Sequence, residues 1–246
     1  MHLMRFKNNI PNLITLLNLL SGSIAIFLAF SGEMLLASGF IFVAAILDFF
    51  DGLAARLINA RSGIGAQLDS LADVVSFGLA PSAIMYQLIL QSPGNSLWNA
   101  DFLKFLPYTA LLLVASGAYR LAKFNTDPEQ EVKFKGLPIP ATGLFVGALP
   151  LILYQYKETE GLIRFLQNDY FLFAVILFLS CLMVSNIPMI SLKFKNLNWK
   201  DNISRFILLG AALVLFIFFR FSAVPMIIFL YIIISIISLS FKTKNS

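Results

Sequence analysis

Four aspartates stand inside two strongly apolar stretches of this sequence, Asp48 and Asp51 in the first and Asp69 and Asp73 in the second. A charged side chain at membrane depth costs free energy, so such residues usually serve a function. Intervals of three and four residues return to one face of an α-helix, so each pair lies along a single stripe of its helix. The sequence therefore predicts two acidic stripes on consecutive helices.

A short turn, about 57–63, separates these two predicted helices and makes them antiparallel neighbours. At about 1.5 Å per residue, Asp51 and Asp69 lie roughly 8–10 Å from the turn, and Asp48 and Asp73 roughly 12–16 Å from it. Because the levels match, we expect the acids to face each other across a seam of small residues.

Four carboxylates placed so close together must be partly protonated or neutralised by cations. Clustered oxygen ligands suit Mg²⁺, Mn²⁺ or Ca²⁺ far better than zinc or copper. A single intramembrane aspartate could instead pair with Arg56 or Arg61, but four at matched depths favour a metal site. The expected cofactor is therefore a divalent metal such as Mg²⁺ or Mn²⁺, and four acids offer enough ligands for a pair of ions.

The composition indicates which elements must position these acids. With 59% hydrophobic and 13% charged residues, a chain of 246 residues cannot hide its apolar segments in one soluble core. We predict an all-α, polytopic membrane helical bundle of about eight transmembrane helices, at 11–30, 34–58, 64–91, 102–123, 140–156, 170–190, 203–220 and 223–240. The polar stretches 124–139 and 191–202 are too small to hold a core, so residues 1–246 are expected to form a single integral membrane domain.

The basic residues orient the predicted helices, because Lys and Arg concentrate in cytoplasmic loops. With both termini inside (N-in, C-in), only four of the 18 basic residues fall outside, namely Lys104, Lys157, Arg164 and Arg220. The acids then lie near the cytoplasmic face of a multi-pass protein of the cell membrane. The net charge of +5 is explained by this topology and by attraction to anionic membrane lipids, and we expect no nucleic-acid partner.

The segment Asp48-x-x-Asp51-Gly52-x-x-Ala55-Arg56-x8-Gly65-x3-Asp69-x3-Asp73 resembles, at every defining position, the signature of the CDP-alcohol phosphatidyltransferases. The first predicted helix, with Pro11, Asn12, Thr15 and Asn18, is similar to the opening of that family. The resemblance implies a fold of at least six helices, a homodimer, and a reaction in which an alcohol displaces CMP from a CDP-linked lipid. Fold alone would not prove this activity.

The resemblance also implies roles for individual residues. Asp48, Asp51, Asp69 and Asp73 are implied as metal ligands, and Asp73 also as the general base that deprotonates the alcohol. Contacts to CDP-diacylglycerol are implied for Asn12, Thr15, Gly52, Arg56, Ser62 and Gly65. Other interpretations stay open: Asn12 could cap the first helix, the glycines could serve close helix packing, and Arg56 could be an ordinary positive-inside anchor.

A second region suggests which alcohol is used. Arg120-Leu-Ala-Lys123-Phe-Asn125 and Gly136-Leu-Pro-Ile-Pro-Ala141 resemble paired segments of bacterial phosphatidylserine synthases, with Lys123 in place of an arginine. This replacement keeps the positive charge and loses the bidentate fork. The resemblance implies L-serine as the acceptor, with Arg120, Asn125 and Gly136 as candidate serine-binding residues; topogenic charge is the alternative reading of the basic cluster.

Two rival functions remain open at this point. A sister enzyme of the same superfamily would use glycerol phosphate, inositol phosphate or choline in place of serine. A membrane transporter would place its acids at the bilayer midplane between inverted repeats. These acids lie nearer one face, and no repeat is evident in the sequence.

Overall fold

The computed structural model describes residues 2–58, 63–92, 101–127, 134–190 and 199–244, and it confirms the all-α class. The first half contains α1 (His2–Phe30), α2 (Met34–Leu57), α3 (Gly63–Asp73) and α4 (Ala80–Leu90), with a π-helical segment, Val74–Leu79, joining α3 to α4. Together α3, the π-helical segment and α4 form one continuous helical stretch, Gly63–Leu90. Of the candidate spans in the described residues, it has the largest buried share.

The second half begins with a 3₁₀ segment, Asp101–Ala110, that leads into α5 (Leu111–Thr126). It continues with β1 (Phe134–Lys135), α6 (Ile139–Gln155), α7 (Glu160–Leu166), α8 (Asp169–Val184), β2 (Pro188–Met189), α9 (Trp199–Phe219) and α10 (Ala223–Lys244). A 3₁₀ turn, Arg220–Ser222, joins the last two helices, and Arg220 adopts a positive φ of 50° there.

Within the described ranges, five stretches are long and apolar enough to cross a membrane: Asn9–Phe30, Met34–Leu57, Gly63–Leu90, Lys104–Thr126 and Asn202–Ile237. The pair α7 and α8, bent by 52°, makes a sixth if it is one span. The chain is thus an integral membrane protein, but the predicted number of eight is not confirmed. The difference arises because α6 has only 17 residues and because α9 and α10 belong to one apolar stretch of 36 residues.

The helical stretch Gly63–Leu90 is the centre of the bundle. Its π segment packs against α1, α5 and α6, and its buried side chains include Phe77, Ile84 and Met85. Two glycines permit the close approach: a Cβ on Gly22 would come 2.5 Å from the Cα of Ser76, and one on Gly143 would come 2.7 Å from the ring of Phe77. The segment that follows Asp73 is therefore held from several sides.

A short antiparallel ladder holds the segment that leads into α6. β1 pairs with β2 in the register Phe134 with Met189 and Lys135 with Pro188. Gly136 follows β1 with φ of +75°, and its N–H donates to the carbonyl of Ile187 at 2.9 Å. A Cβ at Gly136 would run into backbone carbonyls at the end of α8, so only glycine fits this conformation. The ladder and this hydrogen bond thereby fix residues 134–137 against the end of α8.

Candidate active site

The acidic stripes of α2 and α3 come together, as the sequence predicts. Asp48, Asp51 and Asp69 each offer a carboxylate oxygen, and these three oxygens lie within 4.8 Å of one another. Asp51 is buried, whereas Asp48 and Asp69 are partly exposed, so the cluster is open on one side. Hard divalent cations prefer such a set of carboxylate oxygens, and the residues present therefore fit the expected metal.

The helices that carry these acids are not packed as the sequence suggested. Among the described residues, α2 and α3 make only sparse contacts with each other, whereas α1 packs against both. The expected seam of small residues between them is therefore wrong. The two acidic helices are instead connected through α1, which packs against each of them.

Asp73 is buried, at 7% exposed, as is Asp51 of the cluster at 5%. Its Oδ1 atom has no hydrogen-bond partner among the described residues. The carboxyl group is close enough to Asp48, Asp51 and Asp69 to interact with their charges, and it also interacts with the guanidinium of Arg120. A buried carboxyl oxygen without a partner is costly, which suits an atom whose partner is a ligand.

The first helix contributes to the acid cluster through Thr15. Its buried hydroxyl donates a hydrogen bond of 2.7 Å to Oδ2 of Asp51, and the carbonyl of Pro11 lies 3.0 Å from the same hydroxyl. The structure therefore brings Thr15 to a carboxylate, where it fixes one candidate metal ligand. Asn12 is partly exposed, one turn before Thr15, and Asn18 is fully buried one turn after it.

The candidate nucleotide-binding residues of α2 lie beside the acids. Arg56 is exposed, and its Nε donates to the carbonyl of Gly52 at 2.9 Å. A Cβ at Gly52 would meet no atom within 4 Å among the described residues, so close helix packing does not explain this glycine. Open space beside Asp51 is what a ligand would need. Gly65 is partly buried on α3, and Ser62 lies outside the described residues.

Two candidate residues for binding the substrate serine lie on α5, across the acids from α2. Asn125 donates from Nδ2 to Oγ of Ser70 at 2.8 Å, which ties α5 to the residue after Asp69. Arg120 is buried and lines a small pocket together with Lys123 and Lys135. The structure thus brings Arg120 and Asn125 to the acid site.

Gly136 serves this region differently from what the sequence suggested. Its N–H is already engaged with Ile187, so its contribution is the shape of the loop. The lysines have partners as well: Nζ of Lys123 donates to Oδ1 of Asn186 at 2.8 Å, and Nζ of Lys135 lies 3.9 Å from Oδ2 of Asp127. These contacts agree equally with topogenic charge, so that alternative for the lysines stays open.

Three features of this region were missed by sequence reasoning. Asn186, between α8 and β2, accepts a hydrogen bond from Lys123, and Tyr231 of α10 donates one to the carbonyl of Ile190 just after β2. The π segment begins directly after Asp73, at a position where the apolar sequence looks like ordinary helix. A mid-helix π segment often marks a functional position, but no signal in a single sequence would have revealed it.

The chain is similar in sequence to several known proteins. A family model described as CDP-alcohol phosphatidyltransferase matches residues 8–186. The chain is 34% identical over 229 residues to the CDP-diacylglycerol–serine O-phosphatidyltransferase of Helicobacter pylori, covering 92% of this chain and 89% of that protein. It is 40% identical over 137 residues to the protein of the same name from Bacillus subtilis, covering 56% and 72%. An archaetidylserine synthase from Methanothermobacter thermautotrophicus is 30% identical over 154 residues, covering 62% and 61%.

Proposed function

The chain belongs to the CDP-alcohol phosphatidyltransferase family, and from this premise we propose that it transfers the phosphatidyl group of CDP-diacylglycerol to the hydroxyl of L-serine. The products are CMP and phosphatidylserine. The observation that carries the proposal is the meeting of three carboxylate oxygens within 4.8 Å, made by the residues of the family signature. The names of the relatives support serine as the acceptor.

Asp48, Asp51 and Asp69 would hold divalent metal, Mg²⁺ or Mn²⁺ as a pair of ions, with Asp73 as a further ligand. When bound, such metal would neutralise charge on the diphosphate and so favour departure of CMP. Thr15 fixes the carboxylate of Asp51 through its hydrogen bond, so that ligand is oriented before metal arrives.

Asp73 acts as the general base. The serine hydroxyl oxygen forms a bond to the lipid-linked phosphorus, the bond from that phosphorus to the CMP oxygen breaks, and the hydroxyl proton passes to a carboxyl oxygen of Asp73. The buried Oδ1 atom, without a hydrogen-bond partner among the described residues, is available for that proton. Arg120, which interacts with Asp73, would hold the negative carboxylate of serine near the base.

CDP-diacylglycerol is proposed to lie against α1, α2 and the start of α3. Arg56 is exposed beside the acids, and a guanidinium can grip phosphate with two hydrogen bonds. Gly52 leaves open space for the nucleotide. Asn12, Ser62 and Gly65 complete this proposed nucleotide side.

The membrane location and orientation of the enzyme are proposed from its basic residues. The basic residues around the site, among them Arg56 and Lys123, favour a cytoplasmic face in the cell membrane with both termini inside. Membrane lipids are then its surroundings and its source of substrate. Family resemblance favours a homodimer, and the whole chain is proposed to act as one domain.

The proposed function is tested by incubating the purified protein with CDP-diacylglycerol, Mn²⁺ or Mg²⁺, and a panel of alcohols. We expect release of CMP and formation of phosphatidylserine with serine, and little product with glycerol phosphate, inositol phosphate or choline. Preference for another alcohol would agree with the family chemistry but would overturn the assignment of serine as the acceptor. Absence of CMP release with every alcohol would favour a transporter.

A further inference from the structure

A hydrogen bond ties α5 to α3 beside the acid cluster. Nδ2 of Asn125 donates to Oγ of Ser70 at 2.8 Å, and Ser70 directly follows Asp69 in the chain. The two bonded residues are 55 positions apart, so the contact joins two separate helices. One helix carries candidate metal ligands and the other carries candidate serine-binding residues. The contact therefore links the metal side of the site to its serine side.

The hydroxyl of Ser70 makes a second hydrogen bond within α3. Its Oγ donates to the carbonyl of Ala66, one turn earlier, at 3.2 Å. A serine hydroxyl has one proton and two acceptor lone pairs. Because the proton is engaged with Ala66, the hydroxyl can only accept a hydrogen bond from Asn125.

An acceptor at this position decides which way the amide of Asn125 is turned. The asparagine amide carries a donor nitrogen on one side and an acceptor oxygen on the other. A rotation of the amide by half a turn would bring Oδ1 against the lone pairs of the Ser70 hydroxyl, which repel it. Nδ2 is therefore held toward Ser70, and Oδ1 is left for another partner. Asn125 is exposed, so a ligand can reach its amide.

An amide oxygen held in one orientation suits an ammonium group. An ammonium group has only donors, so it binds the oxygen of an amide and not the nitrogen. The substrate serine carries such a group beside its carboxylate, for which Arg120 is already proposed. Glycerol phosphate and inositol phosphate have no ammonium group, and the quaternary nitrogen of choline has no N–H to donate.

We propose that Ser70 is a positioning residue for Asn125, which it holds with Oδ1 ready to accept a hydrogen bond from the ammonium group of the substrate serine. This inference rests on the proposed function. It assigns to the residue after Asp69 a part in choosing the acceptor, because a fixed amide oxygen favours an amino acid over the other alcohols.

The test is a double-mutant cycle in the full chain, with Ser70→Ala, Asn125→Ala and the pair combined. Ser70→Ala should raise the KM for serine about three- to tenfold, the effect of one lost hydrogen bond, because the released amide can turn its nitrogen toward the ammonium group. The KM for CDP-diacylglycerol and the affinity for Mn²⁺ should change less than about twofold. Adding Ser70→Ala to Asn125→Ala should change the serine KM little further, since the hydroxyl acts through the amide.

Two further variants separate the hydroxyl from general packing. Ser70→Thr keeps the hydroxyl and should recover most of the serine KM. Ser23→Ala is the matched control, because Ser23 is also half-buried and its Oγ donates to the carbonyl of Leu19, one turn earlier on α1, at 2.8 Å. This control should leave both KM values at the wild-type level.

Independent, multiplying effects of the two alanine substitutions on the serine KM would overturn the positioning role. So would a Ser70→Ala variant that loses kcat or Mn²⁺ affinity with its serine KM unchanged, because such a residue acts on Asp69 or on packing alone. Equal defects in the Ala and Thr variants would reject the hydroxyl. These outcomes arise with a wild type that makes phosphatidylserine. A wild type that uses another alcohol, or that releases no CMP, instead overturns the proposed function and this inference with it.

Discussion

The four aspartates differ in their surroundings, and this difference separates their expected roles. Asp48, Asp51 and Asp69 converge within 4.8 Å on a partly open cluster, whereas Asp73 is buried beside Arg120. Sequence spacing alone placed all four at one site. It could not distinguish the open cluster from the buried acid, because burial depends on how α1 and α5 close around them.

The first prediction contrasts Asp69→Asn with Asp73→Asn. Asp69→Asn should weaken Mn²⁺ binding at least tenfold and nearly abolish CMP release, because it removes a charged oxygen from the cluster. Asp73→Asn should keep measurable binding of Mn²⁺ and CDP-diacylglycerol but lose turnover, because an amide cannot accept the serine proton. Electron paramagnetic resonance of Mn²⁺ and a CMP assay measure the two effects. Glu33→Gln, an exposed acid at the opposite end of α2, is the control.

Full turnover of the Asp69 variant would remove that residue from the metal site, and unchanged turnover of the Asp73 variant would remove the proposed base. Both substitutions should leave the protein folded, since lowering the charge of a crowded acidic cluster relieves repulsion between carboxylates. The unfolding temperature checks this point.

The second prediction concerns the hydrogen bond from Thr15 to Asp51. Thr15→Val has nearly the same shape and lacks the donor, so Asp51 loses its 2.7 Å partner. We expect metal affinity or activity to fall about 10- to 100-fold, as for other residues that orient a metal ligand. Thr15→Ser should recover most of the loss. An equal defect in the Ser and Val variants would mean that the methyl group, and not the hydroxyl, matters.

At the scale of helices, the two acidic helices were predicted well and their packing was not. Residues 34–58 and 64–91 were expected as spans, and Met34–Leu57 and Gly63–Leu90 are observed. Direct packing of α2 on α3 was wrong because depth along a helix says nothing about the distance between axes. The number of spans depends on α6 and on the join of α9 to α10, where length and hydropathy leave the division open.

The third prediction tests whether close contact between α1 and the π segment positions the site. In Gly22→Ala, the new Cβ would come 2.5 Å from the Cα of Ser76, so one of the two helices must move. We expect a loss of about 1–3 kcal/mol in stability, as for other overpacked sites, and reduced turnover, because α1 carries Thr15. Thermal unfolding and the CMP assay measure both.

Gly39→Ala is the matched control for that substitution. Gly39 lies on α2 with no described atom within 4 Å of a new Cβ. Alanine there should be neutral or should stabilise the helix by about 0.5–1 kcal/mol. If the Gly22 variant behaves like the Gly39 variant, the contact with Ser76 does not hold the site.

At the scale of the whole molecule, the site is assembled from both halves of the chain. α1, α2 and α3 supply the acids and the proposed nucleotide side, and α5 brings the proposed serine side, with the β ladder and α10 behind it. The sequence signature lies mainly in the first of these halves, which explains why each of the four acids could be predicted individually. The links through Asn186 and Tyr231 join segments far apart in sequence, so only the folded chain reveals them.

This division predicts that the two substrates depend on different arginines. Arg120→Ala should raise the KM for serine strongly and barely change the KM for CDP-diacylglycerol, because Arg120 lies beside Asp73 on the α5 side. Arg56→Ala should do the reverse, because Arg56 stands at the exposed end of α2 beside Gly52. Steady-state kinetics with each substrate varied in turn measures both constants. If the two variants lose affinity for CDP-diacylglycerol alone, the serine side is assigned wrongly, and α5 belongs to the nucleotide site.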